Sequence, residues 1–183
     1  TEVANVITAV KNGTIGGLIT VGVNPVLTLA DGSAFAEGLK KLDLSVAFSL
    51  KEDETALASQ YLAAVPHYLE AWGDYEFKAG SFALAQPTIR PLFDTKQFQD
   101  VLLAWTGSSQ NYYDAIQANW SDSVIGSSSW NTVLHDGFFQ IEVTTENNYQ
   151  ATVLTAEATA LAAASSKGLE LTLYTKTGMG DGQ

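Results

Sequence analysis

Val3, Val6, Ile7 and Val10 recur three and four positions apart, the spacing that lines one face of an α-helix. Asn12 and Gly13 close that helix, because both residues tolerate the left-handed backbone at a helix C-terminus. The pattern then changes to a short apolar run over residues 17–22, rich in β-branched residues, which predicts a strand covered on both faces. Asn24 and Pro25 end it, since proline has no N–H to give to a ladder. Phe35, Leu39 and Leu42 predict a second helix. Residues 44–49 predict a second strand, 52–62 a third helix and 63–66 a third strand. Strand and helix alternating at this interval predict an α/β fold, an open parallel sheet flanked by helices.

From residue 68 the pattern loses its period. Residues 68–93 carry aromatic, glycine and proline positions without alternation, as in a long loop or hairpin wrapped over a sheet. After Asp94, a suitable helix cap, Phe98, Val101, Leu102 and Trp105 trace an amphipathic helix that ends at Gly107. Residues 109–120 and 129–135 predict two more helices, joined through the serine-rich stretch 121–129. Residues 138–144 read as a strand and the alanine-rich 155–164 as a helix by propensity. Leu169, Leu171 and Leu173 alternate with Glu170, Thr172 and Tyr174, as in a half-buried strand. The expected organisation is an α/β domain over 1–107 containing the wrapped loop 68–93, a mostly helical extension over 108–168, and the start of a following domain over 169–183. No internal repeat is present. The chain opens at Thr1 and closes on a glycine-rich tail, so it is expected to be a fragment of a larger multidomain subunit.

Composition narrows what such a domain can do. Of 183 residues, 46% are apolar and 16% charged, enough apolar surface to offset the ordering entropy of a packed core. The net charge of −11 repels phosphate, which argues against a nucleic-acid partner. There is no cysteine, which excludes disulfides, thiolate nucleophiles and thiolate-held zinc or iron–sulfur clusters within these residues. No apolar run approaches the roughly 20 residues of a membrane span, so no direct membrane insertion is expected.

Few residues carry an obvious chemistry. His67 and Glu70 are three apart, a spacing that can chelate from one helix face, but His135 is the only other histidine and a metal set is not expected. Gly13, Gly16 and Gly17 precede the first strand, whereas a phosphate cradle follows a strand and opens a helix. The acidic run Glu52, Asp53 and Glu54 sits where negative charge favours a helix N-terminus. Trp72, Tyr75, Phe77 and Phe82 suit a ligand wall or, more economically, the packing of an ordered loop. The best-placed signal is Gly22, Asn24 and Pro25 at the exit of the first strand, because ligands of open parallel sheets collect outside the carboxyl ends of strands.

A Gly-x-Asn-Pro sequence after an apolar strand resembles the third domain of molybdopterin oxidoreductases of the dimethyl-sulfoxide-reductase type. The likeness continues through residues 44–49, through Asp53 to Ala56 at a helix start, through residues 62–66 and through Glu70 to Asp74, and covers roughly residues 1–107. Residues 67–74 and 86–95 and the ending 173–183 are similar to the iron–sulfur subunit of alternative complex III, a quinol:electron-acceptor oxidoreductase. The resemblance implies a Rossmann-like scaffold without the molybdopterin, having no catalytic or metal-binding residue of its own, in a parent complex that is an oxidoreductase of the respiratory chain. It implies iron–sulfur clusters in a downstream part of the subunit. It further implies, as partners, the remainder of the same chain and other subunits of a membrane electron-transfer complex at the periplasmic face of the inner membrane. Should the resemblance fail, a cytoplasmic location is expected. The family places an Asp where Ser49 stands, which puts guanine binding in doubt. Two alternatives stay open. In one, the chain is part of a true molybdopterin enzyme, with Gly22, Asn24, Pro25, Ser49, Glu54 and Thr55 lining a pterin-dinucleotide edge. In the other it is a small-ligand α/β binding module.

Overall fold

A computed structural model describes residues 2–144, 155–163, 168–169, 171–172, 174 and 176–179. The chain divides into two compact units, 1–143 and 144–183.

The first unit opens with helix α1 (Glu2–Asn12), strand β1 (Gly17–Val21), the short helix α2 (Pro25–Thr28), helix α3 (Gly32–Leu39) and strand β2 (Leu44–Ser49). Helix α4 (Glu54–Ala58) and strand β3 (Tyr61–Ala64) follow. The three strands form a parallel sheet in the order β1-β2-β3, with Ile19 opposite Val46 and Phe48 opposite Ala63. The parallel sheet expected from the alternation is therefore present. Strand β3 begins two residues ahead of the predicted 63–66 and α4 is shorter than 52–62. Asp53 is the reason at the front, because its side chain accepts from Ala56 N–H and fixes the cap there.

The core of this half lies between the sheet and the helices. Val10, Phe35, Leu39 and Leu42 are buried together, with Ile7, Leu18, Val26 and Ala58 packed around them. Helix α3 approaches α1 closely at Gly38, where a Cβ would stand 2.6 Å from the Val10 carbonyl oxygen. The other face of the sheet is reached by helix α5 (Phe98–Trp105), whose Phe98 ring meets Phe48 edge-on at 4.8 Å. Strand β1 departs from the expectation of two covered faces. Ile19 and Val21 remain 41% and 42% exposed because β1 is an edge strand among the described residues and α5 stops over β2. The apolar stripe of α1 is likewise only partly used: Val10 is buried, whereas Val3 and Val6 are exposed.

The wrapped segment is a β-hairpin. A 3-10 turn over Tyr68–Glu70 leads into β4 (Gly73–Lys78), which pairs antiparallel with β5 (Ser81–Ala85). Beyond α5 come α6 (Tyr112–Ser123), α7 (Trp130–Asp136) and β6 (Phe138–Gln140), and β6 closes this second sheet against β5. A second core gathers Ile116, Trp120, Ile125, Trp130 and Val133 under the hairpin's Trp72, Phe82 and Leu84. The serine-rich stretch 121–129 is thus partly helical and anchored by buried Ile125, not a loose connection. The predicted strand 138–144 shrinks to three residues, since the pairing with β5 runs only from Ser81–Gln140 to Ala83–Phe138.

In the second unit, helix α8 (Thr155–Ala163) matches the predicted 155–164 as far as the described residues extend. Of the predicted strand 169–174, Glu170 and Leu173 lie outside the described residues. Leu169, Leu171, Thr172 and Tyr174 are exposed and belong to no strand, because their alternation meets no partner among the described residues.

Candidate functional site

The six residues singled out from the sequence come together at the carboxyl end of the parallel sheet. Gly22 has φ +61°, a conformation that favours glycine, and its N–H donates to Phe48 O at 2.9 Å, which joins the ends of β1 and β2. The chain then reverses through Asn24 and Pro25 into α2. Pro25 occupies the first helical turn, where its missing N–H costs nothing.

Asn24 is the hub, 3% exposed. Its Oδ1 accepts from Thr55 Oγ1 at 2.8 Å, from Thr55 N–H at 3.2 Å and from Leu27 N–H at 3.4 Å. Its Nδ2 donates to Glu54 Oε2 at 2.7 Å. Thr55, fully buried, uses its Oγ1 a second time to accept from Val26 N–H at 3.0 Å. One side chain therefore caps α2, ties it to the start of α4 and holds a carboxylate. The hydrogen bond from Asn24 keeps the Glu54 carboxyl below its ordinary pKa. Ser49, at the end of β2, donates its hydroxyl to Asp53 Oδ2 at 2.9 Å, and Asp53 Oδ1 caps α4.

His67 and Glu70 form a reciprocal cap. His67 Nδ1 accepts from Leu69 N–H at 3.3 Å, and Glu70 Oε2 accepts from His67 N–H at 3.2 Å. Glu70 Oε1 also accepts from Leu92 N–H at 3.3 Å, which pins the returning segment. The spacing that suits a chelate here serves a turn, and no group of three metal-capable side chains occurs among the described residues. A cleft of about 410 Å³ opens beside this turn at the ends of β2 and β3, lined by Leu50, Val65, His67, Ile89, Leu92 and Phe93. Its walls are mostly apolar, with His67, Glu70 and Thr95 as the polar members.

The aromatic residues of the hairpin divide by face. Trp72 packs on Tyr113 with ring centroids 4.6 Å apart, and Phe82 meets Trp120 at 5.9 Å. Tyr75 and Phe77 face outward and are exposed. Sequence reasoning missed Asp74, on the inward side of β4. Its carboxylate accepts from the Tyr112 hydroxyl and from Trp120 Nε1 at 3.2 Å. Burial, then the hydrogen bond to Asp74, pushes the Tyr112 hydroxyl well above its ordinary pKa. The available signal was a carboxylate set between the aromatic residues Trp72 and Tyr75. Its partners lie 38 and 46 residues downstream, beyond the reach of any local pattern.

No protein-family model matches the chain. Over 94 residues, 49% of this chain and 14% of the other, it is 37% identical to the menaquinone reductase molybdopterin-binding-like subunit of Nitratidesulfovibrio vulgaris. In fold it is similar to acetylene hydratase from Pelobacter acetylenicus, with a TM-score of 0.63 at 16% identity over 76% of this chain and 21% of that one. The chain thus spans a minor part of the length of both proteins. Together the sequence match and the shared fold support the resemblance to the molybdopterin oxidoreductases read from the motifs.

Proposed function

We propose that this polypeptide is a non-catalytic scaffold within a quinone-linked electron-transfer subunit of the molybdopterin-oxidoreductase type. The observation that carries the reading is the use of polar atoms at the strand ends. Asn24 and Thr55 spend their buried donors and acceptors on each other and on α2 and α4, and Ser49 spends its hydroxyl on Asp53. A dinucleotide needs convergent groups with free hydrogen-bonding capacity, so these residues fit it poorly. The similarity to a menaquinone reductase subunit whose name describes it as molybdopterin-binding-like supports the same reading. In this proposal, iron–sulfur clusters sit on another part of the full-length subunit, consistent with the lack of cysteine here. The partners are the rest of its own chain and the other subunits of a membrane complex at the periplasmic face. No helix among the described residues is long and apolar enough to cross a membrane.

Elemental analysis and cofactor extraction on the purified full-length subunit test the proposal. Iron without molybdenum or tungsten is the expected result. Stoichiometric molybdenum or tungsten with an extractable pterin dinucleotide would replace it with the alternative in which the strand ends line a cofactor edge.

A further inference from the structure

We propose that the outer edge of β1 receives a fourth parallel strand, supplied by the segment of the full-length protein that precedes α1. The argument begins with the winding of the sheet. Strands β1, β2 and β3 advance in one direction, and the connections carrying α3 and α4 run over the face that also bears α1. Parallel crossovers are right-handed in nearly every case. With α1 on that same face and leading into β1, a strand placed before α1 by the same rule lies beside β1, on the side away from β2.

Three observations meet at that position. Gly16 O accepts from Leu44 N–H and Gly22 N–H donates to Phe48 O, so backbone groups of the even-numbered residues address β2. By the alternation of a parallel ladder, the N–H and C=O of Ile19 and Val21 point the other way, without a strand partner among the described residues. Their side chains are apolar and about two-fifths exposed, although a parallel sheet is ordinarily covered. On α1, Val3 and Val6 are 69% and 46% exposed, whereas Val10, toward α3, is fully buried. A bare edge, apolar strand residues uncovered on one face and the unused half of the α1 stripe on the other fit the same occupant, an apolar β-strand running parallel to β1 whose alternating side chains reach both faces. The two proteins that share this sequence and fold are several times longer than the match, so such a strand has a source within one chain. This inference does not depend on whether a cofactor binds.

Amide hydrogen exchange and photo-crosslinking on the full-length protein test it. The Ile19 and Val21 amides are expected to exchange at least ~100-fold more slowly than in an unstructured peptide. A photoreactive phenylalanine analogue in place of Val21, and separately in place of Val3, is expected to label a peptide ahead of Thr1. Free-edge exchange of both amides overturns the proposal and needs no substitution. So does labelling confined to a later segment, a second copy or another subunit. If the Val21 variant does not fold, protected amides together with Val3 labelling ahead of Thr1 support the proposal, and any other Val3 result overturns it.

Discussion

Asn24 Oδ1 accepts both the N–H and the hydroxyl of Thr55, 31 residues away, in a buried contact that joins the exit of β1 to the first turn of α4. This contact makes the strand-end turn part of the domain's rigid frame. Asn24→Ala removes the acceptor and strands two Thr55 donors in a buried site. It is expected to lower unfolding stability by about 2–3 kcal/mol, read from the urea midpoint at constant m-value. Asn24→Asp keeps the acceptor but sets a second carboxylate against Glu54. Its loss of stability is expected to shrink as the pH falls toward 4, where carboxylates begin to protonate. An Asn24→Ala protein as stable as the wild type would show that the contact holds nothing.

The Asn24–Glu54 bond gives acid stability a direction. Glu54 has its pKa lowered in the folded state, so the folded protein prefers the carboxylate form. Its contribution is complete above the ordinary carboxylate pKa and is lost as pH falls through the lowered value. Glu54→Gln is expected to show a flatter fall in thermal midpoint than the wild type between about pH 5 and pH 3. Parallel curves across that window would contradict the coupling.

Tyr112 predicts the opposite limb. Its hydroxyl pKa is raised in the folded state by burial and by Asp74, so the neutral phenol is favoured. That contribution is present below the ordinary tyrosine pKa of about 10 and is lost as pH rises beyond it. Absorbance titration should find one tyrosine ionising later than the rest and coincident with alkaline unfolding. Tyr112→Phe should remove that late step and cost about 1–2 kcal/mol at neutral pH, since the Asp74 carboxylate keeps only Trp120.

Gly38 tests the packing of α1 on α3. Alanine at a helix interior normally gains about 1 kcal/mol over glycine. Here the added methyl would meet backbone atoms, the Val10 carbonyl oxygen at 2.6 Å and Lys11 Cα at 3.0 Å, which cannot yield as a side-chain tip would. Gly38→Ala is therefore expected to destabilise by about 1–2 kcal/mol despite the better propensity. A rise in thermal midpoint would mean that the two helices stand further apart than 2.6 Å implies.

The sequence by itself determined the elements whose signal is local. The apolar runs at 17–22 and 44–49 are complete within a few residues and each yields its strand where expected, and the acidic run 52–54 marks the α4 start to within two residues. It also brought Gly22, Asn24, Pro25, Ser49, Glu54 and Thr55 to one sheet edge, because parallel strands joined by right-handed crossovers put all their carboxyl ends on the same side. What those residues do there was decided only by tertiary structure. A buried asparagine can serve a ligand or a fold, and the difference lies in whether Thr55 and Glu54 arrive within hydrogen-bond distance. The wrapped segment shows the same division. Its glycines and aromatics announced a turn-rich stretch, but its pairing with Phe138–Gln140 and the anchoring of Asp74 by Tyr112 and Trp120 join positions dozens of residues apart. A period of 2 or 3.6 carries no information about contacts at that range. Burial behaves likewise, since Val3, Val6, Ile19 and Val21 have the residue types of a core and lie exposed. The pattern specifies which face is apolar, and only the packed neighbours decide whether it is covered.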